Sequence, residues 1–132
     1  VVNGTCNFLL GRLADGVAWE PALAEAQRLG FAEPDPTLDV TGVDAAAKLR
    51  VLAWLAFGLP PEALAVPTRG LVPDAPQLVA LARSAGRVCR LVAECVRTPE
   101  GIVAAVEPIA VAADSELGRV TGERNVVLVE SD

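Results

Sequence analysis

Histidine is absent from the 132 residues. This absence excludes catalytic triads with an imidazole base, as well as ordinary zinc sites. Methionine is absent too, so we expect that Val1 is not the natural start and that the chain is a piece of a longer protein. Aromatic residues are few, with two Trp and three Phe. The core is therefore expected to consist mainly of Ala, Val and Leu.

The chain has no surplus of positive charge, since its formal net charge is −6. An acidic surface argues against nucleic acid and anionic membranes as partners. No apolar run reaches the roughly 18 residues of a membrane-spanning helix, and no signal peptide is visible. A chain of this length is expected to form one domain, over residues 1–132.

Only three cysteines are present. Cys89 and Cys95 are expected on one strand, about 20 Å apart, which is too far for a disulfide. Free thiols in a reducing cytoplasm are the expectation. Cys6 is a candidate nucleophile because a helix N-terminus can stabilise a thiolate, although the sequence offers no histidine as its base.

Periodicity and capping signals predict an α+β fold, in which N-terminal helices pack on a mostly antiparallel or mixed β-sheet. Helices are predicted at about 3–16, 19–30, 43–57 and 76–85, a loop at 31–41, and a short extended piece near Val66. Asp39 or Thr41 is the expected N-cap of the third helix. Strands are predicted at 87–97 and 102–111 around a turn at 98–101, with a last strand at 125–131.

Lys48 is the only lysine, whereas the other ten basic residues are arginines. It follows Asp44 by four residues, which is the favoured order for an ion pair on a helix. One interpretation is a solvated pair worth about 0.3–0.5 kcal/mol. The other interpretation rests on the helix residues after Arg50, which carry almost no charge and therefore predict a largely buried helix. A buried amine gives up its proton more readily, whereas arginine does not.

An acidic loop precedes this helix and contributes Glu33, Asp35 and Asp39 with no basic residue between them. It is interpreted either as a helix-capping loop or as a site that complements an ammonium group. A calcium loop is a further alternative, but the EF-hand order of ligands is not present. The sequence thus predicts no metal site of that type.

The turn of Asn3, Gly4 and Thr5 stands at the start of the first predicted helix. It is either an ordinary N-cap or a place where backbone N–H groups receive a carboxylate. Together with the acidic loop and Lys48, it outlines a site for an amino-acid substrate.

The stretches that carry these features resemble the catalytic region of homoserine dehydrogenases. They are NGTCNFLL at 3–10, AEAQRLGFAEPDPTLDVTGVDAAAKLRVLAWLAFG at 24–58, RVCRLVAE at 87–94 and ELGRVTGERNVVLVES at 116–131. The resemblance implies reduction of L-aspartate 4-semialdehyde to L-homoserine with NADPH or NADH, in threonine and methionine biosynthesis. It also implies that Lys48 is the general acid and base and that Asp44 orients it.

The same resemblance assigns the substrate pocket. Glu33 would hold the substrate ammonium, and Asp39 would be a further carboxylate of the pocket. Gly4 and Thr5 would lie near the substrate and the nicotinamide edge, and Phe31 at the pocket wall. A homodimer that forms through the β-sheet is expected.

The chain departs from the family in two respects. Cys6 stands where the family more often has threonine or serine. The Rossmann domain with its G-x-G-x-x-G turn is not found, because the glycines of GRVTGERN have neither that spacing nor a strand before them. We therefore expect an excised substrate-binding and dimerisation domain that is inactive alone. The alternative is a stand-alone, non-catalytic oligomerisation or amino-acid-binding module.

Overall fold

The computed structural model describes residues 1–131 and has the expected α+β architecture, with helices packed on an antiparallel hairpin. The elements are α1 Gly4–Ala14, α2 Trp19–Leu29, α3 Thr37–Val40, α4 Val43–Phe57, a 3₁₀ turn Pro61–Ala63, α5 Ala75–Ser84, β1 Arg87–Thr98 and β2 Gly101–Ala112. Within the described residues, none of the helices has both the length and the apolar character needed to cross a bilayer.

Helix α1 forms the centre of the domain. Asn3 caps it, because its side chain accepts a hydrogen bond from the backbone N–H of Cys6 and so satisfies one of the free N–H groups of the first turn. Leu9 and Leu10 of α1 are 0% and 1% exposed. Leu10 packs in the larger apolar cluster with α4, α5 and the hairpin, whereas Leu9 packs in a second cluster with α2.

Helix α2 ends where the sequence predicts. Gly30 adopts φ +81° at its C-terminus, a left-handed conformation that glycine accepts without strain. The N–H of Phe31 then donates to the carbonyl of Ala26 at 2.8 Å. This turn directs the acidic loop back across the first turns of α1.

The loop predicted at 31–41 contains a short helix, α3, which the sequence analysis missed. Two prolines and few apolar residues hide it, since only Val40 of α3 is buried. The Asp35 carboxylate accepts the N–H of Thr37 at 3.1 Å and also its hydroxyl. The Asp35 side chain thus supports the first turn of α3 from one residue before its N-cap, Pro36.

Helix α4 spans the predicted residues, but two expectations about it are wrong. Its N-cap is Gly42 at φ +84° instead of Asp39 or Thr41. A Cβ at Gly42 would come within 2.8 Å of the Thr68 side chain, so both the backbone angle and the space require glycine.

The second wrong expectation is that α4 is largely buried. Leu49 and Ala53 are buried, but Trp54 is 54% and Leu55 is 76% exposed. The scarcity of charge after Arg50 reflects composition and does not require that every face be covered. The expected loss of hydration at Lys48 therefore lacks its basis, and the side chain is 47% exposed.

Strands β1 and β2 pair antiparallel in a continuous register from Arg87↔Ala112 to Thr98↔Gly101, as predicted. The extended piece near Val66 is one parallel bridge between Thr68 and Val106. Cys6, Cys89 and Cys95 are all free thiols.

The strand predicted at 125–131 is not formed. Only Val126 pairs, exchanging two backbone hydrogen bonds of 2.9 Å with Val1. Because α1 is capped two residues later, Val1 offers no longer partner strand. Val127 and Val129 remain 53% and 82% exposed. The β-branched composition is present without the partner that a strand requires.

Arg90 is a buried residue that the sequence analysis did not single out. It is 5% exposed on β1. Its guanidinium donates to the carbonyls of Cys89, Leu117, Gly118 and Val120 at 2.7–3.1 Å. Arg90 therefore fastens the segment after β2 to the hairpin.

Candidate active site

Three of the residues singled out from the sequence meet beside the start of α1. Asp39 projects from α3, while Asp44 and Lys48 lie one turn apart on α4. Asn3 lies between the two acids: its Nδ2 donates to Asp39 Oδ1 at 2.7 Å and to Asp44 Oδ2 at 2.8 Å. The result is a cluster of two carboxylates, one amide and one amine, which we call the Asn3 cluster.

The amine of Lys48 is held at two points. Its Nζ lies 2.8 Å from Asp44 Oδ2 and donates to the carbonyl of Val2 at 3.0 Å. An ammonium has three donors, so the third can turn to a ligand. The side chain is half-exposed, and the amine is accessible while being kept in one place.

The environment of Asp44 favours its ionised form. Partial burial acts to raise the pKa of Asp44, but the hydrogen bonds from Lys48 and Asn3 and the Lys48 charge outweigh it. The pKa of Asp44 therefore lies below its ordinary value. At neutral pH this carboxylate is charged and serves as an acceptor for the lysine.

Cys6 lies beside the cluster as a hydrogen-bond donor. Its Sγ donates to the backbone carbonyl of Asp39 at 3.2 Å. Burial raises the pKa of the Cys6 thiol far above its usual range, and the charges of Asp39 and Asp44 raise it further. This environment disfavours the thiolate, which is the nucleophilic form that a thiol enzyme needs.

Thr5 and Phe31 form a second contact next to the cluster. The Thr5 hydroxyl donates to the carbonyl of Phe31. The Phe31 ring stacks at a tilt on Phe8, with 5.1 Å between the ring centroids. This contact fixes the beginning of the acidic loop against α1.

Glu33 is not bonded to the Asn3 cluster. It is exposed on the loop between α2 and α3, and its backbone carbonyl accepts from Gln27 at 3.2 Å. Its carboxylate makes no hydrogen bond or ion pair within residues 1–131. Its role toward a substrate ammonium stays a prediction.

The backbone of Glu123 lies against the turn at Gly4. A Cβ at Gly4 would come within 2.6 Å of the Glu123 carbonyl, so residue 4 must be glycine for segment 123–125 to approach. Asn7 donates to the carbonyl of Arg124 at 2.6 Å from the same helix. The expected nicotinamide edge at Gly4 and Thr5 stays a prediction, because these contacts are to the protein's own backbone.

Asn3 is the cluster residue whose contacts the sequence analysis missed. Its helix-capping role hid them, since both its amide hydrogens go to residues 36 and 41 positions away. No local pattern shows a contact over that separation. The one available signal was that asparagine, unlike serine or aspartate, caps a helix and still has two hydrogens to donate.

Comparisons with known proteins show the family of the chain. The family model for homoserine dehydrogenase matches residues 1–132. Homoserine dehydrogenases from Pseudomonas aeruginosa and Lactococcus lactis are 38% and 37% identical over the whole chain. The chain spans 31% of the length of each of these relatives.

Solved structures of homoserine dehydrogenases also match the chain. A crystal structure of S. aureus homoserine dehydrogenase matches with a TM-score of 0.86 and 35% identity, over 93% of this chain and 32% of that one. A hyperthermophilic archaeal homoserine dehydrogenase in complex with NADPH matches with a TM-score of 0.67 and 32% identity, over 92% of this chain and 33% of that one.

The sequence match and the fold of helices and hairpin thus place the chain in a family of oxidoreductases. The chain belongs to the homoserine dehydrogenase family.

Proposed function

We propose that residues 1–132 are the substrate-binding and catalytic part of an enzyme that interconverts L-homoserine and L-aspartate 4-semialdehyde. The proposal rests chiefly on the Lys48 amine, which lies 2.8 Å from Asp44 in a cluster that also contains Asp39. A second support is the family membership of the whole chain. The setting would be threonine and methionine biosynthesis in the cytoplasm.

Lys48 is proposed to move the proton of the reaction. When bound, NADPH or NADH supplies the hydride that the aldehyde carbon receives, and its nucleotide portion is expected outside residues 1–132. The oxygen on that carbon then needs one proton, which the Lys48 ammonium donates. In the reverse direction the neutral amine takes the proton back. Asp44 orients the amine in both directions.

The acids are proposed to hold the amino group of the substrate. Asp39 has one oxygen engaged by Asn3, and its other oxygen accepts no hydrogen bond within residues 1–131. A substrate ammonium fits that position, with Glu33 as a second carboxylate that closes in from the exposed loop. Phe31 would form the wall, and Gly4 and Thr5 the edge toward the nicotinamide. Fixing the ammonium places the carbonyl within reach of Lys48.

The full-length enzyme with Lys48→Ala tests this assignment. We expect kcat to fall at least about a hundredfold, the low end for a lost proton-transfer group. Lys48→Arg should fall similarly, because arginine keeps the charge but does not release a proton. Arg28→Ala, which removes an exposed cation from the end of α2, is the control and should keep kcat within about twofold.

Three results would contradict the proposal. A near-normal kcat in Lys48→Ala would remove the proton-transfer role, and a near-normal kcat in Lys48→Arg would leave only an electrostatic one. Residues 1–132 alone are expected to show no NADPH oxidation with aspartate semialdehyde. Their rate therefore serves as the background for the activity assay. Lack of turnover by the full-length protein itself would favour the non-catalytic binding or oligomerisation module.

A homodimer through the β-sheet is proposed as the assembly of the enzyme. Val96 and Val103 are directly paired across β1 and β2 and are 45% and 57% exposed. A paired apolar surface on a two-stranded sheet supports association with a second copy. Sedimentation of the full-length enzyme measures this directly.

A further inference from the structure

The Asn3 side chain has its orientation fixed from both ends. It is 4% exposed, and its Oδ1 accepts the N–H of Cys6 at 2.8 Å. Its Nδ2 donates both hydrogens to carboxylates, at 2.7 Å to Asp39 and 2.8 Å to Asp44. Rotating the amide by half a turn would aim an oxygen at two carboxylates and a donor at a backbone N–H, so only one orientation is satisfied.

The two carboxylates that Asn3 joins belong to different helices. Two like charges that share one partner repel each other, and a hydrogen-bond donor placed between them offsets part of that repulsion. Asn3 supplies that donor as a neutral group, so the pair is held together without a second cation. Lys48, which pairs with Asp44, is the only side-chain cation paired with either acid within residues 1–131.

The bonding pattern also leaves acceptor sites free. Asp44 uses Oδ2 for both Asn3 and Lys48, and Asp39 uses Oδ1 for Asn3. Asp44 Oδ1 and Asp39 Oδ2 accept no hydrogen bond within residues 1–131. The amide thus draws one oxygen of each acid inward and leaves the opposite oxygen for an incoming donor.

We propose that Asn3 is a positioning residue that fixes the spacing between the ammonium-binding acid Asp39 and the lysine-orienting acid Asp44. This inference rests on the proposed function, because Asp39 and Asp44 have these tasks only in the dehydrogenase. Asn3 itself touches neither the reacting atoms nor the proton. Its loss lets Asp39 move relative to Lys48, so that a bound amino-aldehyde no longer meets the amine correctly.

The test separates this role from helix capping. Serine and aspartate cap helices about as well as asparagine, so Asn3→Ser and Asn3→Asp retain an acceptor for the Cys6 N–H. Serine removes the two amide N–H donors to the acids, and its shorter hydroxyl has only one hydrogen to donate. Aspartate loses them too and adds a third negative charge beside the pair.

In the full-length enzyme, we expect Asn3→Ser to raise KM for homoserine at least about tenfold, which corresponds to the loss of a hydrogen bond to a charged group. Asn3→Asp should raise it further. KM for NADP⁺ should stay within about twofold in both variants, because the displaced groups are those that grip the amino acid. Circular dichroism and thermal unfolding show whether each variant is folded.

Several outcomes would overturn the inference. KM for homoserine within twofold of wild type in folded Asn3→Ser would reduce Asn3 to a cap. Equal losses of affinity for homoserine and NADP⁺, or a failure of both variants to fold, would make its role structural. Wild-type enzyme that does not oxidise homoserine would instead defeat the proposed function, so the two failures are distinguishable.

Discussion

The Asp44 Oδ2 atom lies 2.8 Å from the Lys48 Nζ atom, one turn further along α4. The same oxygen accepts the Asn3 amide, so Asp44 connects the lysine to the start of α1. A helical ion pair of this kind is usually a weak contributor to stability when it is exposed. Here the lysine is also fixed by the Val2 carbonyl, which gives the pair one defined geometry.

This pair makes stability depend on pH in a specified direction. The pKa of Asp44 lies below its ordinary value because hydrogen bonds from Lys48 and Asn3, together with the Lys48 charge, outweigh the opposing effect of burial. A carboxylate with a lowered pKa in the folded state stabilises that state above its unfolded pKa of about 3.9. The contribution disappears as the pH falls through the folded value.

Asp44→Asn should therefore lower the free energy of unfolding at pH 7 by roughly 0.5–1 kcal/mol, the range for a partly exposed pair. The difference from wild type should shrink below about pH 4. Urea unfolding of the 132-residue chain at several pH values measures it. Asp114→Asn, at an exposed site after β2, is the control, and a deficit for Asp44→Asn that persists unchanged at pH 3 would contradict the argument.

The parts of the fold that the sequence predicts are those with local signals. The end of α2 follows from Gly30, the end of α4 from Gly58, and the hairpin from two β-branched segments around Pro99 and Glu100. Each signal lies within a few residues of its effect. The strand at 125–131 fails because a strand also requires a partner elsewhere, and Val1 provides only one exchange of hydrogen bonds.

The residues of the candidate site likewise divide into those with a local signal in the sequence and those without one. Asp44 and Lys48 are found from spacing, since a helix places i and i+4 on one face. That Asp39 joins them through Asn3 depends on how α3 packs beside α1. The sequence does not identify Asn3 as the residue that joins the two acids, because its hydrogen-bond partners lie 36 and 41 residues away.

The corner between α3 and α4 depends on Gly70. A Cβ there would come within 2.3 Å of the Val40 carbonyl and 2.5 Å of the Thr41 backbone. Next to it, the N–H of Leu71 donates to the same Val40 carbonyl at 2.7 Å. Because Val40 and Thr41 lie between Asp39 and Asp44, this contact sets how the two acids approach each other.

Gly70→Ala should destabilise the chain by about 1–3 kcal/mol, as overpacking does, and raise KM for homoserine in the full-length enzyme. Gly11→Ala is the matched control, since a Cβ at Gly11 meets nothing within 4 Å. In the interior of α1 that change should stabilise by up to about 1 kcal/mol. Unfolding and steady-state kinetics test both, and wild-type stability in Gly70→Ala would show that the corner yields easily.

Arg90 carries the last prediction, which concerns the segment after β2. Its guanidinium is buried and bonds to four backbone carbonyls, three of them in residues 117–120. The same segment leads to Glu123 and Arg124, which lie against α1 at Gly4 and Asn7. Through residues 117–120, Arg90 therefore indirectly supports the backbone beside the Asn3 cluster.

Arg90→Leu should lower the free energy of unfolding by roughly 2–4 kcal/mol, because buried carbonyls lose a charged donor. Trypsin should then cleave faster after Arg119 and Arg124, since the segment opens more often. Arg87→Leu is the control on the same strand: Arg87 is exposed and donates to one carbonyl, that of Ala110, at 2.9 Å. Equal cleavage rates in the two variants would mean that the buried guanidinium does not hold the segment, and that pairing of Val126 with Val1 is sufficient.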